Sequence, residues 1–360
     1  MSVSSWVAER YPTGRRHFDA AAAGRVSQDV IDQQRLHAER EAVLGAYVAE
    51  AQAEAAVDAG RDALGALVGL TGEDVFLTDG ASTAFTAVLD AWPLPAGARI
   101  GTVTSEYGGN ARVLRQRAGW HRWRLVELSV DELGRILDVP GDLDLVTFPQ
   151  VPSQRGIAQP VELALRSGVP LLLDVAQAAG QVPVPAGVAA YVGTSRKWLC
   201  GPRGIGWGAV DPAWQPRLAD PATLAPESYP GQAKRFDSAE PSVAGRLGLA
   251  SAARGWSPGV LPVITAGAAA ARVLLAGAGG WEVIEPVEEP TGITTLRHDR
   301  LDPWVVREQL LSRNYVVSAV PTSRAADLTG PLLRVSTPAW VTPGDLESLA
   351  EALDAVSSAS

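Results

Sequence analysis

The stretch that most constrains the fold of this chain runs from residue 169 to residue 206. It opens with an apolar run, Val169 to Leu173, which follows a glycine and ends at Asp174. Because the run is short, unbroken and flanked by helix breakers, it is typical of a buried strand in a parallel sheet, with Asp174 at its carboxyl end. Ligands of open α/β sheets bind beyond the carboxyl ends of the strands. The pattern therefore predicts an α/β fold whose functional site includes Asp174.

Lysine usage points to a second residue in the same stretch. Two of the 31 basic residues are lysines, and one of them, Lys197, precedes a glycine-rich turn at 201–206. An arginine stays protonated, whereas a lysine amine can lose its proton and act as a nucleophile or a base. Pyridoxal 5'-phosphate (PLP) needs such a pair, because a carboxylate keeps its pyridine ring protonated while a lysine holds its aldehyde. The alternative is a helix-capping Asp174 and a surface Lys197.

Composition argues against several classes of partner. The formal net charge is −9 and the arginines are scattered, which argues against nucleic acid. A single cysteine, Cys200, excludes an intramolecular disulfide framework and a cysteine-based metal cluster, and we expect no metal. The N-terminus lacks the apolar core of a signal peptide, and the apolar run 260–280 fits a buried helix better than a membrane span. We therefore expect a cytoplasmic protein with no membrane partner.

Short motifs give the chain a family resemblance. The central stretch contains DVAQAAG (174–180), SRKW (195–198) and GPRGIG (201–206). These motifs resemble the class V aminotransferase family of PLP enzymes, which includes cysteine desulfurases and related lyases. Four further sequence motifs are HAEREAVLGAY (37–47), EYGGN (106–110), QRGIAQP (154–160) and TSRKWLCGPRGIG (194–206). They resemble a narrower group, the C–S lyases of ergothioneine biosynthesis.

The resemblance implies an architecture. It is the PLP fold-type I, or aspartate aminotransferase-like, fold: a large α/β domain with a mostly parallel central sheet and a small C-terminal α+β domain. Prolines near 258 and alternating strands and helices after 255 support the same division. We expect an N-terminal arm and large domain over 1–254 and a small domain over 255–360. The family also implies a homodimer with its site at the subunit interface.

The resemblance also implies a set of cofactor contacts. Lys197 holds PLP, Asp174 pairs with the pyridine nitrogen, and Gln177 binds the 3-oxygen. Tyr107 stands where relatives carry a histidine that stacks on the ring. The resemblance assigns the phosphate to a helix N-terminus, at Gly80, Ala81 and Ser82. It also assigns the phosphate to Thr194 and Arg196 beside the lysine, where Arg196 replaces a histidine of relatives.

Five residues are candidates for binding the substrate, which the resemblance implies to be an amino-acid sulfoxide. Arg334 matches the arginine that binds the α-carboxylate, and an arginine within an apolar strand needs an anionic partner in any case. Ser153 replaces an asparagine of relatives. Arg155 addresses an oxyanion or sulfoxide, or is a surface arginine. Tyr47 and Glu240 are candidates for the cationic end of the substrate, Glu240 from the neighbouring subunit, and Tyr47 is equally well a core tyrosine.

The reaction type rests on a missing thiol. A cysteine desulfurase needs a nucleophilic cysteine before the terminal arginine, and the segment AVPTSRAADLTGPLLR (319–334) has none. This favours cleavage of a C–S bond by β-elimination without a protein thiol. The resemblance implies that the substrate is hercynylcysteine sulfoxide and that the products are the ergothioneine sulfenic acid, pyruvate and ammonia. The alternatives are a desulfurase or selenocysteine lyase that uses Cys200, another class V aminotransferase or epimerase, and an inactive binding protein. A doubly wound nucleotide-binding protein is disfavoured, because no G-x-G-x-x-G follows the first strand.

Overall fold

The computed structural model describes residues 2–10, 12–221 and 231–358. Its first strand, β1, is Arg16–His17. The next seven are Val75–Thr78 (β2), Arg99–Thr102 (β3), Arg124–Glu127 (β4), Leu145–Pro149 (β5), Leu171–Asp174 (β6), Ala190–Thr194 (β7) and Gly206–Val210 (β8). The C-terminal strands are Glu282–Val283 (β9), Ile293–Arg297 (β10), Tyr315–Val316 (β11), Ser318–Val320 (β12) and Leu332–Ser336 (β13).

The central sheet contains seven of these strands in the order β2-β8-β7-β6-β5-β3-β4. Strand β8 is antiparallel to both of its neighbours, and the remaining pairings are parallel. Every residue of β5, β6, β7 and β8 is buried. Apolar runs of this kind suit strands that are covered by helices on both faces. The predicted α/β fold with a mostly parallel sheet is confirmed.

Ten α-helices lie in the part of the chain that the structure describes. They are Val3–Ala8 (α1), Gln28–Leu44 (α2), Ala46–Leu67 (α3), Ala81–Ala91 (α4), Gly108–His121 (α5), Val161–Ser167 (α6), Val243–Gly255 (α7), Val260–Leu275 (α8), Pro303–Ser312 (α9) and Pro343–Ser358 (α10). The segment 28–68 forms two helices because Gly45 has a φ of 82°, a left-handed conformation that favours glycine. Helix α4 starts at Ala81, directly after the glycine turn.

A second sheet lies in the C-terminal part of the chain. Its four strands are antiparallel in the order β12-β13-β10-β9, and α8, α9 and α10 pack against it. The N-terminal arm also reaches this part, because β1 pairs with β11 and the Trp6 and Trp340 rings stack at 5.9 Å. The two sheets lie on opposite sides of the predicted boundary at 254, while the arm crosses it. The division at 254 itself stays a prediction.

The apolar run 260–280 contributes α8, with Ile264, Ala268 and Leu275 buried. In the described ranges, no single helix is long and apolar enough to cross a membrane. Helices α7 and α8 reach that length and composition only as a pair, and the pair is bent by 85°.

Candidate active site

A cavity of about 450 Å³ lies where β6 and β7 end, between the central sheet and the C-terminal sheet. Strands β12 and β13 contribute to its wall through Ser318 and Arg334. Eleven of the residues singled out from the sequence line this one cavity: Gly80, Ala81, Ser82, Tyr107, Ser153, Asp174, Gln177, Thr194, Arg196, Lys197 and Arg334. The volume suits a cofactor together with a small substrate.

Asp174 is held by two neutral donors at the end of β6. The Asn110 side-chain nitrogen donates to Oδ2 at 2.8 Å, and the Ala176 backbone N–H donates to Oδ1 at 2.8 Å. Burial raises the pKa of this carboxyl, and the nearby Lys197 amine counteracts the rise. A buried carboxylate of this kind gains from a cationic partner in the cavity, which the protonated nitrogen of a pyridine ring can supply.

Glu106 is a second buried carboxyl beside Asp174, and the sequence reasoning missed it. Its Oε1 accepts from the Tyr107 backbone N–H at 2.8 Å and from Asn110 at 3.1 Å. Burial, together with the charge of Asp174, raises the pKa of Glu106 to about 8. Because its Oε2 has no hydrogen-bond partner in the part of the chain that the structure describes, that oxygen is the one able to carry the proton. Glu106 is therefore mostly neutral at pH 7.

The raised pKa of Glu106 gives a stability prediction. The unfolded chain loses this proton near pH 4.5 and the folded chain near pH 8, so folding takes up a proton between these values and stability falls as the pH rises. In cofactor-free protein, Glu106→Gln should remove this fall in the free energy of unfolding. Relative to the wild type, the free energy of unfolding of the variant should rise by up to about 1.4 kcal/mol per pH unit between pH 4.5 and pH 8. Urea unfolding at pH 5 and pH 8 measures the difference.

The matched control is Glu106→Ala, which also removes the proton but loses both hydrogen bonds to Oε1. It should show the same pH dependence as the glutamine variant at a lower free energy of unfolding at every pH. If the glutamine variant and the wild type changed in parallel between pH 5 and pH 8, the neutral form of Glu106 would be refuted.

Lys197 follows β7 and lines the same cavity. Burial lowers the pKa of its amine to about 7, while Asp174 raises it and the cations of Arg196, Arg334 and Arg324 lower it further. A large fraction of the amine is therefore unprotonated at neutral pH. This is the state in which a lysine can react with an aldehyde or remove a proton.

The phosphate candidates lie at the start of α4. Gly80 has no side chain to cap the helix, and a Cβ built on it meets no atom within 4 Å, so the turn is open to a ligand. Across the turn, a Cβ on Gly206 would lie 2.2 Å from the Gly80 carbonyl carbon, so only glycine lets β8 approach this closely. The free N–H groups of the first helical turn, at Ala81 and Ser82, favour an anion.

Two further phosphate candidates flank the lysine. The Thr194 hydroxyl lies 3.5 Å from the carbonyl oxygen of Ile205, at the limit of a hydrogen bond, so it can turn to a ligand. The Arg196 guanidinium donates to the carbonyl oxygen of Ala22 and borders the cavity. Burial and the neighbouring Arg203 lower the pKa of Arg196. A bound anion would offset this loss of hydration.

Gln177 and Tyr107 also border the cavity. The Gln177 amide nitrogen donates to Ala21 O at 2.9 Å and its oxygen accepts from Trp198 Nε1 at 2.9 Å, so the amide orientation is determined and one N–H remains for a ligand. Tyr107 immediately precedes α5, where the Arg324 guanidinium carbon lies 5.7 Å from the centre of its ring.

Arg334 is buried in the middle of β13. One nitrogen donates to the Ser153 carbonyl oxygen at 2.6 Å, and the other lies 3.5 Å from Asp19 Oδ1. Asp19, in turn, accepts from the Ser318 hydroxyl at 2.5 Å. Ser153 borders the cavity, and its buried hydroxyl has no partner among the described residues. Arg334 is thus held in one orientation at the wall of the cavity.

Three predicted substrate residues do not reach this cavity in the single chain. Arg155 pairs instead with Asp327, its Nε 3.1 Å from Oδ2. Tyr47 is 84% exposed in the first turn of α3, so the alternative of a core tyrosine is wrong. Glu240 is exposed ahead of α7.

Four further residues take part in the site: Asp19, Glu106, Asn110 and Arg324. Glu106 and Asn110 lie within the motif EYGGN, and the segment RHFDAAAAGRVS (16–27), which contains Asp19, resembles a family segment near the active site. Arg324 had no comparable signal, because it reaches the cavity from a segment more than a hundred positions away from the central motif. Among the residues that the structure describes, no cluster of three or more His, Cys, Asp or Glu side chains could hold a metal ion.

These residues fit PLP. The cavity combines an amine with a lowered pKa, a buried carboxyl bound by neutral donors, and an uncapped helix start with a guanidinium beside it. Those are the groups that the aldehyde, the ring nitrogen and the phosphate of PLP require. A buried arginine remains for the substrate.

Comparison with known proteins gives a consistent result. The family model described as class V aminotransferase matches residues 16–257. A protein of Mycobacterium tuberculosis (strain CDC 1551 / Oshkosh), named as a probable hercynylcysteine sulfoxide lyase, is 36% identical over 376 aligned residues, covering 98% of this chain and 93% of that protein.

Solved structures show the same fold at low sequence identity. The apo cysteine desulfurase of Thermococcus onnurineus NA1 has a TM-score of 0.85 and 17% identity, covering 100% of this chain and 99% of that one. The cystine C–S lyase C-DES, in complex with its product cysteine persulfide, has a TM-score of 0.84 and 16% identity, covering 95% and 98%. At these identities the likeness concerns the fold.

Proposed function

The chain belongs to the class V aminotransferase family, and we propose that it is a PLP-dependent C–S lyase that cleaves hercynylcysteine sulfoxide. The observation that carries the proposal is one cavity that joins Asp174, Lys197 and Arg334 and that no thiol borders among the described residues. The named relative at 36% identity supports the choice of substrate.

The roles of the side chains follow from their chemistry. Arg334 binds the α-carboxylate of the amino acid and so places its Cα beside Lys197. The unprotonated amine of Lys197 removes the Cα proton. When bound, PLP supplies an electron-withdrawing ring that stabilises the charge at Cα, and Asp174 keeps that ring protonated.

Loss of the Cα proton is followed by cleavage of the Cβ–S bond. The electron pair of that bond leaves with the sulfur, and the sulfur group takes up a proton to become a sulfenic acid. The remaining three-carbon fragment reacts with water to give pyruvate and ammonia. The protein contributes no atoms, because Lys197 only takes up a proton and returns it.

Cys200 separates this proposal from a desulfurase. The thiol is 1% exposed and does not border the cavity, and burial raises its pKa to about 11. A cysteine that accepts sulfur must be an accessible thiolate. Because Cys200 is the sole cysteine of the chain, sulfur transfer to a protein thiol is disfavoured.

We expect Cys200→Ala to retain the pyruvate-forming activity of the wild type at a stability cost of roughly 1 kcal/mol, the usual cost of removing a small buried group. Pyruvate release and thermal unfolding of the same preparations measure the two quantities. Loss of activity in a folded, PLP-loaded Cys200→Ala variant would favour the desulfurase instead.

The experiment that tests the proposed function is pyruvate release from PLP-loaded protein. The substrates are hercynylcysteine sulfoxide, the corresponding thioether and free cysteine. Pyruvate from the sulfoxide, in a one-to-one ratio with ammonia, is the expected result. Alanine and sulfide from cysteine would instead identify a desulfurase, and no reaction with any sulfur compound would point to transamination or epimerisation.

We also propose that two copies of the chain complete the site. Tyr47 and Glu240 do not line the cavity of their own chain. The family resemblance assigns Tyr47 to the substrate and places Glu240 where relatives carry a threonine that reaches the partner's site. Tyr47 lies in an exposed apolar patch at the junction of α2 and α3: Leu36, Val43, Leu44, Tyr47 and Val48. A patch of this composition suits a protein interface.

The cytoplasmic location of the protein stays a prediction.

Val43→Glu should therefore convert a dimer into a monomer. Val43 is 82% exposed, so the added carboxylate costs the isolated chain nothing in packing, whereas in an apolar interface it would be buried without a partner. Sedimentation velocity of the two proteins measures the effect, with the exposed Val305→Glu (50%) as the matched control. A wild type that sediments as a monomer would refute the shared site.

A further inference from the structure

The segment between β12 and β13 is fastened over the cavity. The Ala326 N–H donates to Thr104 O at 3.1 Å, and Asp327 accepts from the Gln154 side chain at 3.1 Å. The same Asp327 pairs with Arg155 at 3.1 Å. A Cβ on Gly108 would lie 2.8 Å from the carbonyl oxygen of residue 323, so the segment packs directly on the start of α5. Its position is therefore determined by several independent contacts.

This segment carries Arg324 into the cavity. Its guanidinium carbon lies 5.7 Å from the centre of the Tyr107 ring, and its charge contributes to lowering the pKa of Lys197 and of Arg334. Arg324 is therefore close to the amine that removes the proton and to the guanidinium that receives the carboxylate.

Arg324 lacks an anionic partner within the described ranges. Arg155 and Arg334 each have a carboxylate within 4 Å, at Asp327 and Asp19, and Arg324 has none. Its Nε is buried without a hydrogen-bond partner among the same residues. A guanidinium that borders a cavity in this state favours a ligand that carries a negative or strongly polar oxygen.

The other charged groups of the cofactor and the substrate already have partners. Arg334 takes the α-carboxylate, the start of α4 takes the phosphate, and Asp174 takes the protonated nitrogen of the cofactor ring. The group of the substrate that is left is the oxygen on sulfur, which gains negative charge as the Cβ–S electron pair leaves.

We propose that Arg324 binds the sulfoxide oxygen of the substrate and stabilises the sulfenate as the C–S bond breaks. This rests on the proposed lyase function and assigns a specificity to it: the enzyme selects sulfoxides over thioethers. The bond that breaks is Cβ–S, its electron pair moves onto the sulfur group, and the sulfenate then takes up one proton. Arg324 stays protonated throughout.

The test compares the binding of two ligands to two proteins, one with arginine and one with glutamine at position 324. Dissociation constants of hercynylcysteine sulfoxide and of its thioether are measured by calorimetry with PLP-loaded protein in a Lys197→Ala background, with and without Arg324→Gln. The substitution should weaken sulfoxide binding about tenfold or more and leave thioether binding within about threefold, since an ionic hydrogen bond is worth about 1.5–3 kcal/mol. With Lys197 present, Arg324→Gln should lower kcat/KM for the sulfoxide about 10²-fold.

Arg203→Gln is the matched control. Arg203 also borders the cavity but is exposed, so its loss removes the same charge from a position that solvent screens. It should change the affinities for the sulfoxide and the thioether by the same factor. Unchanged thioether binding in Arg324→Gln shows that this variant is folded and holds PLP.

Three results would overturn the proposal. Equal losses for sulfoxide and thioether would assign Arg324 to the carboxylate or the phosphate, and no loss for either would exclude a contact. A wild type that forms no pyruvate from the sulfoxide and does not bind it would refute the proposed function and this proposal together. An active wild type with equal losses in Arg324→Gln would refute only the role of Arg324.

Discussion

Replacing Lys197 with alanine is expected to reduce pyruvate release by at least about 10⁴-fold, because one amine serves both to hold the cofactor and to remove the Cα proton. The burial that lowers its pKa to about 7 makes this amine reactive at neutral pH. The near-visible absorbance of protein-bound PLP should change in the same variant. Steady-state kinetics and an absorbance scan measure both effects.

Lys197→Arg is the control for charge. It retains a cation beside Asp174 but has no amine that can lose a proton at neutral pH. We expect it to be as inactive as the alanine variant while remaining folded. Substantial turnover by the arginine variant would show that a positive charge at this position suffices and that Lys197 is not the base.

Asp174→Asn should produce the second largest loss, about 10²–10⁴-fold in kcat/KM, since removing one partner of a buried ion pair costs about 3–5 kcal/mol. The amide keeps the shape of the side chain but cannot neutralise a protonated ring nitrogen. It also places a second amide opposite Asn110, which donates to Asp174 in the wild type. PLP should dissociate faster from this variant, as dialysis and absorbance would show.

An independent readout of the same substitution is the titration of Lys197. The carboxylate of Asp174 raises the pKa of that amine, so its removal should shift the pKa from about 7 to a lower value. The pH dependence of PLP capture by the cofactor-free protein should move in the same direction. A rate of capture with an unchanged pH dependence would mean that Asp174 is not ionised in the wild type.

The fold was predictable because its main elements have local causes. The apolar run before Asp174 forms the buried strand β6, and the glycine turn before Ala81 is followed by a helix that begins at that residue. The pairing of the segment YVVSAV (315–320) was harder to predict from the local sequence. It splits into β11, which pairs with the N-terminal arm, and β12, which joins the second sheet, because its partners come from opposite ends of the chain.

Within the site, the cavity brings together the residues that were singled out from motifs and leaves out Arg155, an arginine in a loop. Both Arg155 and Arg324 follow polar residues in loops, and nothing in the local sequence tells which guanidinium enters the cavity. The ion pair of Arg155 with Asp327 settles the matter, since it holds Arg155 outside and fastens the segment that carries Arg324. Arg155 and Asp327 are more than 150 positions apart in the chain, so the local sequence could not reveal that they pair.

The sequence by itself determined the class of fold, the family and the pairing of Asp174 with Lys197, since these depend on short runs of residues and on the order of strands. The tertiary structure alone decided how charge is distributed around that pair. It placed Glu106 beside Asp174 in a buried, mostly neutral form, directed Arg324 into the cavity, and buried Cys200 away from it. The physical reason is that desolvation and Coulomb interactions depend on distances between residues that are remote in sequence.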